Sequence, residues 1–252
     1  MIGDIVGSVY EWDRIKTKDF PLFSPKSAFT DDSVMTMAVA DAILNRKPYA
    51  PALQDWGRRY PGRGYGGMFR RWLDLAHPEP YGSFGNGSAM RVSAVGCLFD
   101  SYDAVLAESK RSAQITHNHP EGIKGAEATA IAILMGRQGE SKDAIRREIT
   151  RRFHYDIGRR LDDVRTSYAF DETCQKTVPE ALIAFLESTD YEDAVRNAVS
   201  LGGDSDTLAC ITGSIAAAFY KDIPGVILRE AEVRLPAEML QICATVAAGK
   251  IM

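Results

Sequence analysis

Two short acidic stretches lie far apart in this 252-residue chain: Thr30-Asp31-Asp32-Ser33 and Gly202-Gly203-Asp204-Ser205-Asp206-Thr207. Each stands before an apolar segment of helical spacing, so each gathers oxygen donors at a helix entrance. One acceptor suffices to cap a helix, where Asp, Ser and Thr satisfy backbone N–H groups that lack an intrahelical partner. Both stretches carry several. Oxygen donors of this kind suit Mg²⁺, Mn²⁺ or Ca²⁺. The four carboxylates, with the hydroxyls of Thr30 and Thr207, could fill most of a shared two-ion shell. Without cations such a cluster would repel itself.

Other segments offer supporting chemistry. Tyr81-Gly82-Ser83-Phe84-Gly85-Asn86-Gly87-Ser88 runs into a helix expected over 89–99, and small residues ahead of a helix N-terminus favour an anion. It is neither a dinucleotide fingerprint nor a P-loop, since no strand precedes it and no Gly-Lys-Ser/Thr follows. Residues 61–67 are too glycine-rich for regular structure and read as a loop, either plain surface or the mouth of a site, with Arg63 and Tyr65 available for phosphate contact or stacking. His117 and His119 flank a turn, but no Cys or third His completes a zinc site, so a hydrogen-bonding role for His117 toward substrate is expected. Glu11 falls where an opening helix gives way to loop, a position suited to serve a site. Gly3 and Gly7, four apart, imply a close backbone approach on one face of that helix. Asp4 between them reads equally as a capping, buried or functional group.

The elements that must position these residues are helical. Apolar spacing predicts helices over 34–44, 53–60, 68–75, 103–116, a segment ending near 135, 141–153, 180–186 with Pro179 at the first position, 190–200, 205–220 and 236–248. Residues 12–29 and 154–177 read as irregular, and no run of period-two alternation is present. The Ala-, Gly- and Ser-rich stretch 209–218 suggests a central helix held close between neighbours. The expectation is an all-α fold in one domain spanning 1–252, without internal repeats.

Composition narrows the function. Apolar content of 45% and charged content of 25% are those of an ordinary globular protein, and a net charge of −4 leaves no strong nucleic-acid footprint. The basic run from Arg146 to Arg160 is interrupted by Glu148 and Asp156 and reads as a solvated helix face. No segment is apolar enough to span a bilayer and no signal peptide is evident; the four scattered cysteines fit a reducing cytoplasm, and a monomer is expected.

Taken together, five landmarks resemble the ADP-ribosylglycohydrolase family in that family's order: Gly3-Asp4 through Gly7-Ser8, Thr30-Asp31-Asp32-Ser33, Asn86-Gly87-Ser88-Ala89-Met90-Arg91, Thr116-His117, and Gly202-Gly203-Asp204-Ser205-Asp206-Thr207. The resemblance implies a compact orthogonal helical bundle with a binuclear Mg²⁺ or Mn²⁺ centre. Thr30, Asp31 and Asp32 would bind one ion, Asp204 and Thr207 the other, and Asp206 both. It implies further that Gly85, Asn86, Gly87, Ser88 and His117 cradle ADP-ribose. Tyr10-Glu11 is similar to the pattern of the serine-type branch, whose mobile glutamate Glu11 would match. The family usually has a few more helical residues before Gly3-Asp4.

The implied reaction is hydrolysis of the glycosidic bond between ADP-ribose and a protein side chain or small-molecule conjugate, through an oxocarbenium-like transition state. Glu11, Asp31 or Asp32 would be the general acid or base. A two-metal phosphoesterase cutting the pyrophosphate would share the acidic cluster, and a non-catalytic ADP-ribose-binding or structural relative would share the scaffold. The residues do not distinguish an arginine linkage from a serine or other one.

Overall fold

The structure, a computed structural model, describes residues 1–249. In chain order its helices are α1 (Ile2–Gly7), α2 (Asp31–Leu44), α3 (Tyr49–Arg59), α4 (Gly67–Leu73), α5 (Gly87–Met90), α6 (Ser93–Leu98), α7 (Tyr102–Ala113), α8 (Pro120–Arg137), α9 (Lys142–Phe153), α10 (Leu161–Ser167), α11 (Cys174–Leu186), α12 (Tyr191–Val199), α13 (Ser205–Tyr220), α14 (Gly225–Glu232) and α15 (Ala237–Ala247). Among the described residues there is no strand, only a single bridge between Gly85 and Thr173. The fold is all-α, as the pattern predicts.

The small residues of α13 let it sit at the centre, packed against α1, α8, α11 and α12. Contact with α1 is backbone to backbone. A β-carbon on Gly3 would lie 1.9 Å from the Ala209 carbonyl oxygen, and one on Gly7 would lie 2.3 Å from that of Ser205. Glycine weakens an isolated helix, so its presence twice in α1 is explained by this approach. Helices α2 and α8 are buried on nearly all sides, which is why their apolar residues show little one-faced segregation. Gly96 of α6 makes the matching approach to α8, with the Ala130 carbonyl 2.7 Å from where its β-carbon would be.

Helix entrances follow the expected chemistry. Ser101, Ser141 and Asp190 accept backbone N–H groups at the starts of α7, α9 and α12, caps worth about 1 kcal/mol each. The basic run lies on α9, where Arg151 and Arg152 pair with Glu148 at 2.8 and 2.9 Å on the solvent side.

Four features depart from the sequence expectation. The helix expected over 89–99 breaks near Arg91 and Val92 into α5 and α6. Pro179 lies inside α11, which begins five residues earlier at Cys174; the turns ahead of the proline have no periodic pattern to announce them. The irregular 154–177 segment contains α10, and α14 was not anticipated because its exposed Val226 and Leu228 blur its period. Met252 and the two residues before it lie outside the described range.

Candidate active site

The two acidic stretches, 169 residues apart in the chain, meet where α1, α2 and α13 begin or end against one another. Asp4 lies under the entrance of α2 and caps it from outside the helix. Its carboxylate accepts the Thr30 N–H at 3.0 Å, the Ser33 N–H at 3.1 Å and the Thr30 hydroxyl at 2.7 Å, and the Ser33 hydroxyl also donates to it. Across the gap, the Thr207 hydroxyl donates to Asp32 Oδ2 at 3.2 Å. Asp4, Asp32 and Asp206 bring carboxylate oxygens within 4.8 Å of one another, and so do Glu11, Asp204 and Asp206. Asp206 is common to both groups.

So many carboxylates in a buried place disturb one another. Burial, reinforced by the Asp206 charge, raises Asp4, Asp31 and Asp204 above the ordinary carboxylate range, and burial with Cys210 and Asp206 does the same to Asp32. Burial pushes half-buried Glu11 up to about 7, with Asp206 and Glu172 adding to it and the neighbouring Trp12 indole N–H opposing it. Asp32 Oδ1 is buried with no hydrogen-bond partner. A buried anionic oxygen without a donor is costly. An all-oxygen donor set of this charge fits a hard divalent cation, which would satisfy that oxygen and relieve the repulsion.

These residues floor a cavity of about 440 Å³ that Asp31, Asp32, Asp204, Asp206, Thr207 and Glu11 all line. Gly85, Asn86, Gly87 and His117 line it from the other side, with apolar surface from Met35, Phe69 and Met90. Asn86 is fixed by three bonds: its N–H to the Glu172 carbonyl at 2.7 Å, and its side-chain amide to Asp204 Oδ2 at 2.7 Å and to the Thr177 hydroxyl at 3.1 Å. His117 packs its Nε2 edge against Gly87, where a β-carbon would come within 3.1 Å. Its Nδ1 is 2.7 Å from the Thr116 hydroxyl, which also accepts from Arg91 at 2.9 Å. Burial, with the Arg91 charge beside it, holds His117 well below its ordinary value, so the ring is neutral.

Three expected site residues are placed elsewhere. Tyr65 does not line the cavity; its buried ring packs near Phe69 and its hydroxyl donates to the Tyr60 carbonyl at 2.9 Å, so the flexible-loop reading put an aromatic outward that the core takes. Ser88 is fully buried behind the wall, its hydroxyl donating to the Gly122 carbonyl at 2.7 Å. Thr30 does not line the cavity, and its hydroxyl is engaged by Asp4. The expected anion-binding helix N-terminus is weaker than its sequence suggests, because α5 has four residues and hence a small dipole.

Three charged lining residues were given no role in the sequence reading. Arg91 is 1% exposed, with Nη2 bonded to the Ser112 carbonyl at 3.0 Å and Nε unpartnered; burial lowers it to about 10, which leaves it cationic at neutral pH. An arginine inside an apolar run was the available signal. Glu172 is carried in by the bond of its carbonyl to Asn86 and by Cys174 N–H to Phe84 oxygen at 2.9 Å, contacts with no local pattern. Arg71 adds a second cation at the cavity edge.

With this geometry in hand, the comparisons with known proteins are informative. The ADP-ribosylhydrolase ARH3 of Bos taurus is 27% identical, over 87% of this chain and 82% of its own. That of Homo sapiens is 26% identical, over 87% and 83%. The ADP-ribosylarginine hydrolase Tri1 of Pseudomonas putida (strain GB-1) is 27% identical, over 87% and 68%. A solved ADP-ribosylglycohydrolase-related protein complex superposes with a TM-score of 0.75 at 26% identity, covering 97% of this chain and 93% of that one. The profile of the ADP-ribosylglycohydrolase family matches residues 1–249, and the chain therefore belongs to that family.

Proposed function

We propose that the chain hydrolyses the glycosidic bond joining ADP-ribose to a modified side chain or other conjugate and releases ADP-ribose. Convergence of both acidic stretches with Glu11 in one cavity carries this reading. The ligand set for two cations, Mg²⁺ or Mn²⁺, would be Asp31 and Asp32 on one side, Asp204 and Thr207 on the other, with Asp206 shared. Its membership of both carboxylate groups supports that last role. Such cations would supply Lewis acidity that makes a bound water a stronger nucleophile.

The protein's own groups do the rest. Arg91 and Arg71, with the N–H of Gly87 that opens α5, offer positive charge and donors to the diphosphate. Neutral His117 offers one ring nitrogen as a donor without adding a charge. The walls from Met35, Phe69 and Met90 exclude water from the nucleotide side. Glu11 is the carboxylate best placed to pass a proton to the departing atom, because it stands at the more open edge of the cluster, half-buried rather than enclosed. Asp31 is the alternative, being incompletely buried at the opposite edge.

All four cysteines are free, in keeping with a reducing cytoplasm, where we place the protein as a monomer. No described helix is long and apolar enough to cross a membrane. The deciding experiment offers arginine-linked, serine-linked and small-molecule ADP-ribose conjugates and identifies the products. Free ADP-ribose, lost on chelation and restored by Mg²⁺ or Mn²⁺, is expected. AMP with ribose phosphate would assign a phosphoesterase instead, and saturable ADP-ribose binding without any turnover would assign a binding protein.

A further inference from the structure

Three tryptophans are present, and two of them, Trp56 and Trp72, are 1% exposed, whereas Trp12 is 75% exposed. Its position matters more than its exposure. Trp12 follows Glu11 directly in the chain. The ring is not free to swing. It stacks on Phe170 with centroids 5.9 Å apart and planes 28° apart, and the Arg14 guanidinium covers Phe170 at 4.6 Å. Arg14 Nε donates to the Glu11 carbonyl at 3.2 Å, and Lys16 Nζ ties the same loop to the carbonyls of Tyr168 and Leu201, each at 2.6 Å. Two loops are thus clasped at the mouth of the cavity, with one indole face held out to solvent.

Resting on the function proposed above, we propose that Trp12 and Phe170 form the subsite for the leaving group, and that its occupant is the polypeptide segment carrying the modified residue. The nucleotide lies toward Gly87 and His117. A proton passed by Glu11 goes to the departing atom, so whatever departs lies on the Glu11 side. There the first surface it meets is the indole. A fixed aromatic plane suits peptide bonds and planar side chains, and because it is already ordered little conformational entropy is lost when it is covered. Phe170 also borders a second cleft of about 830 Å³, lined by Tyr155, Arg159, Tyr168 and Lys176, in which the Tyr155 and Tyr168 hydroxyls have no hydrogen-bond partner. This cleft continues the platform away from the cavity, and its exposed Arg159 and Lys176 offer donors to an extended chain. A small leaving group reaches neither.

The test compares an ADP-ribosylated amino acid with the same linkage inside a short peptide, using whichever linkage the full-length chain cleaves. For Trp12→Ala we expect KM for the peptide to rise about tenfold with kcat nearly unchanged, KM for the amino-acid conjugate to stay within about twofold, and Trp12→Phe to restore most of the peptide affinity. As a readout independent of turnover, acrylamide quenching of tryptophan emission reports chiefly on Trp12; the ADP-ribosylated peptide should protect it in Glu11→Gln, and free ADP-ribose should not. Equal loss on both conjugates, or a fall in kcat alone, would show that Trp12 merely braces the Glu11 loop and would overturn the proposal, as would no change on either. Failure of the unaltered protein to release ADP-ribose from any conjugate is a different result, and it would overturn the hydrolase reading along with this one.

Discussion

Asn86 and Asp204 are joined by a 2.7 Å hydrogen bond from the side-chain amide to Oδ2, and the second amide hydrogen goes to the Thr177 hydroxyl at 3.1 Å. With both hydrogens committed, the amide orients a carboxylate of the acidic cluster. Partners that orient ligating groups typically change metal affinity about 10- to 100-fold when removed. Asn86→Ala should therefore weaken Mg²⁺ or Mn²⁺ binding by that order in calorimetric titration while leaving the fold intact. Asn86→Asp, which sets a further negative charge against Asp204, should be worse in chelated protein, seen as a lower Tm than for Asn86→Ala. Unchanged affinity in both variants would return Asn86 to a purely substrate-facing role.

Asp206 lies at the crossing of both carboxylate groups, and its charge raises Asp4, Asp31, Asp32 and Asp204. Replacing it with Asn should abolish turnover, a loss of about a thousandfold or more if it holds both cations. In chelated protein the same change removes repulsion, so the variant should melt higher than the parent, by roughly 2–4 °C for each kcal/mol relieved. Asp31→Asn should likewise lose turnover without loss of structure. A lower Tm for chelated Asp206→Asn would mean that repulsion is not what the cluster stores.

Histidine at 117 supplies a pH dependence whose sign follows from its burial. Folding holds it well below its ordinary value of 6.5, so the unfolded chain binds the proton and the folded one does not. Stability from this residue is thus full above about pH 6.5 and declines as pH falls, at up to about 1.4 kcal/mol per pH unit. Comparing the parent with His117→Gln across pH 5 to 7.5, the parent should lose ground to the variant on acidification. The imidazole resonances of His117 should titrate below the ordinary value of 6.5.

Replacing Gly7 tests the junction of α1 with α13. An added β-carbon would lie 2.3 Å from the Ser205 carbonyl and 2.6 Å from the Asp206 Cα, both backbone atoms that cannot turn aside. Gly7→Ala should cost about 2 kcal/mol or more in denaturant unfolding. Activity should fall further than stability explains, since relief of the clash displaces Asp206. Gly66→Ala, where nothing lies within 4 Å, is the matched control and should change stability little.

The acidic stretches were legible in the sequence because they hold more oxygen donors than capping requires, and the helical class was legible from period and the absence of alternation. The rest depended on distance. Asp4 was ambiguous because its partners, Thr30 and Ser33, belong to another helix, and no local pattern tells a distant cap from a buried acid. Glu172 and Phe170 sat in a stretch without periodicity, and contacts distant in sequence, the Asn86–Glu172 and Cys174–Phe84 backbone bonds and the Trp12 stack, hold them at the cavity. Tyr65 misled because its glycine neighbours suggested solvent, whereas four percent exposure shows that a glycine-rich turn can still bury one aromatic.

The backbone seam where Gly3 and Gly7 rest on Ala209 and Ser205 reaches beyond packing. A ribosome makes Asp4 202 residues before Asp206. A chain that stops between the two cannot assemble the cluster, so no product cut short there inherits its chemistry.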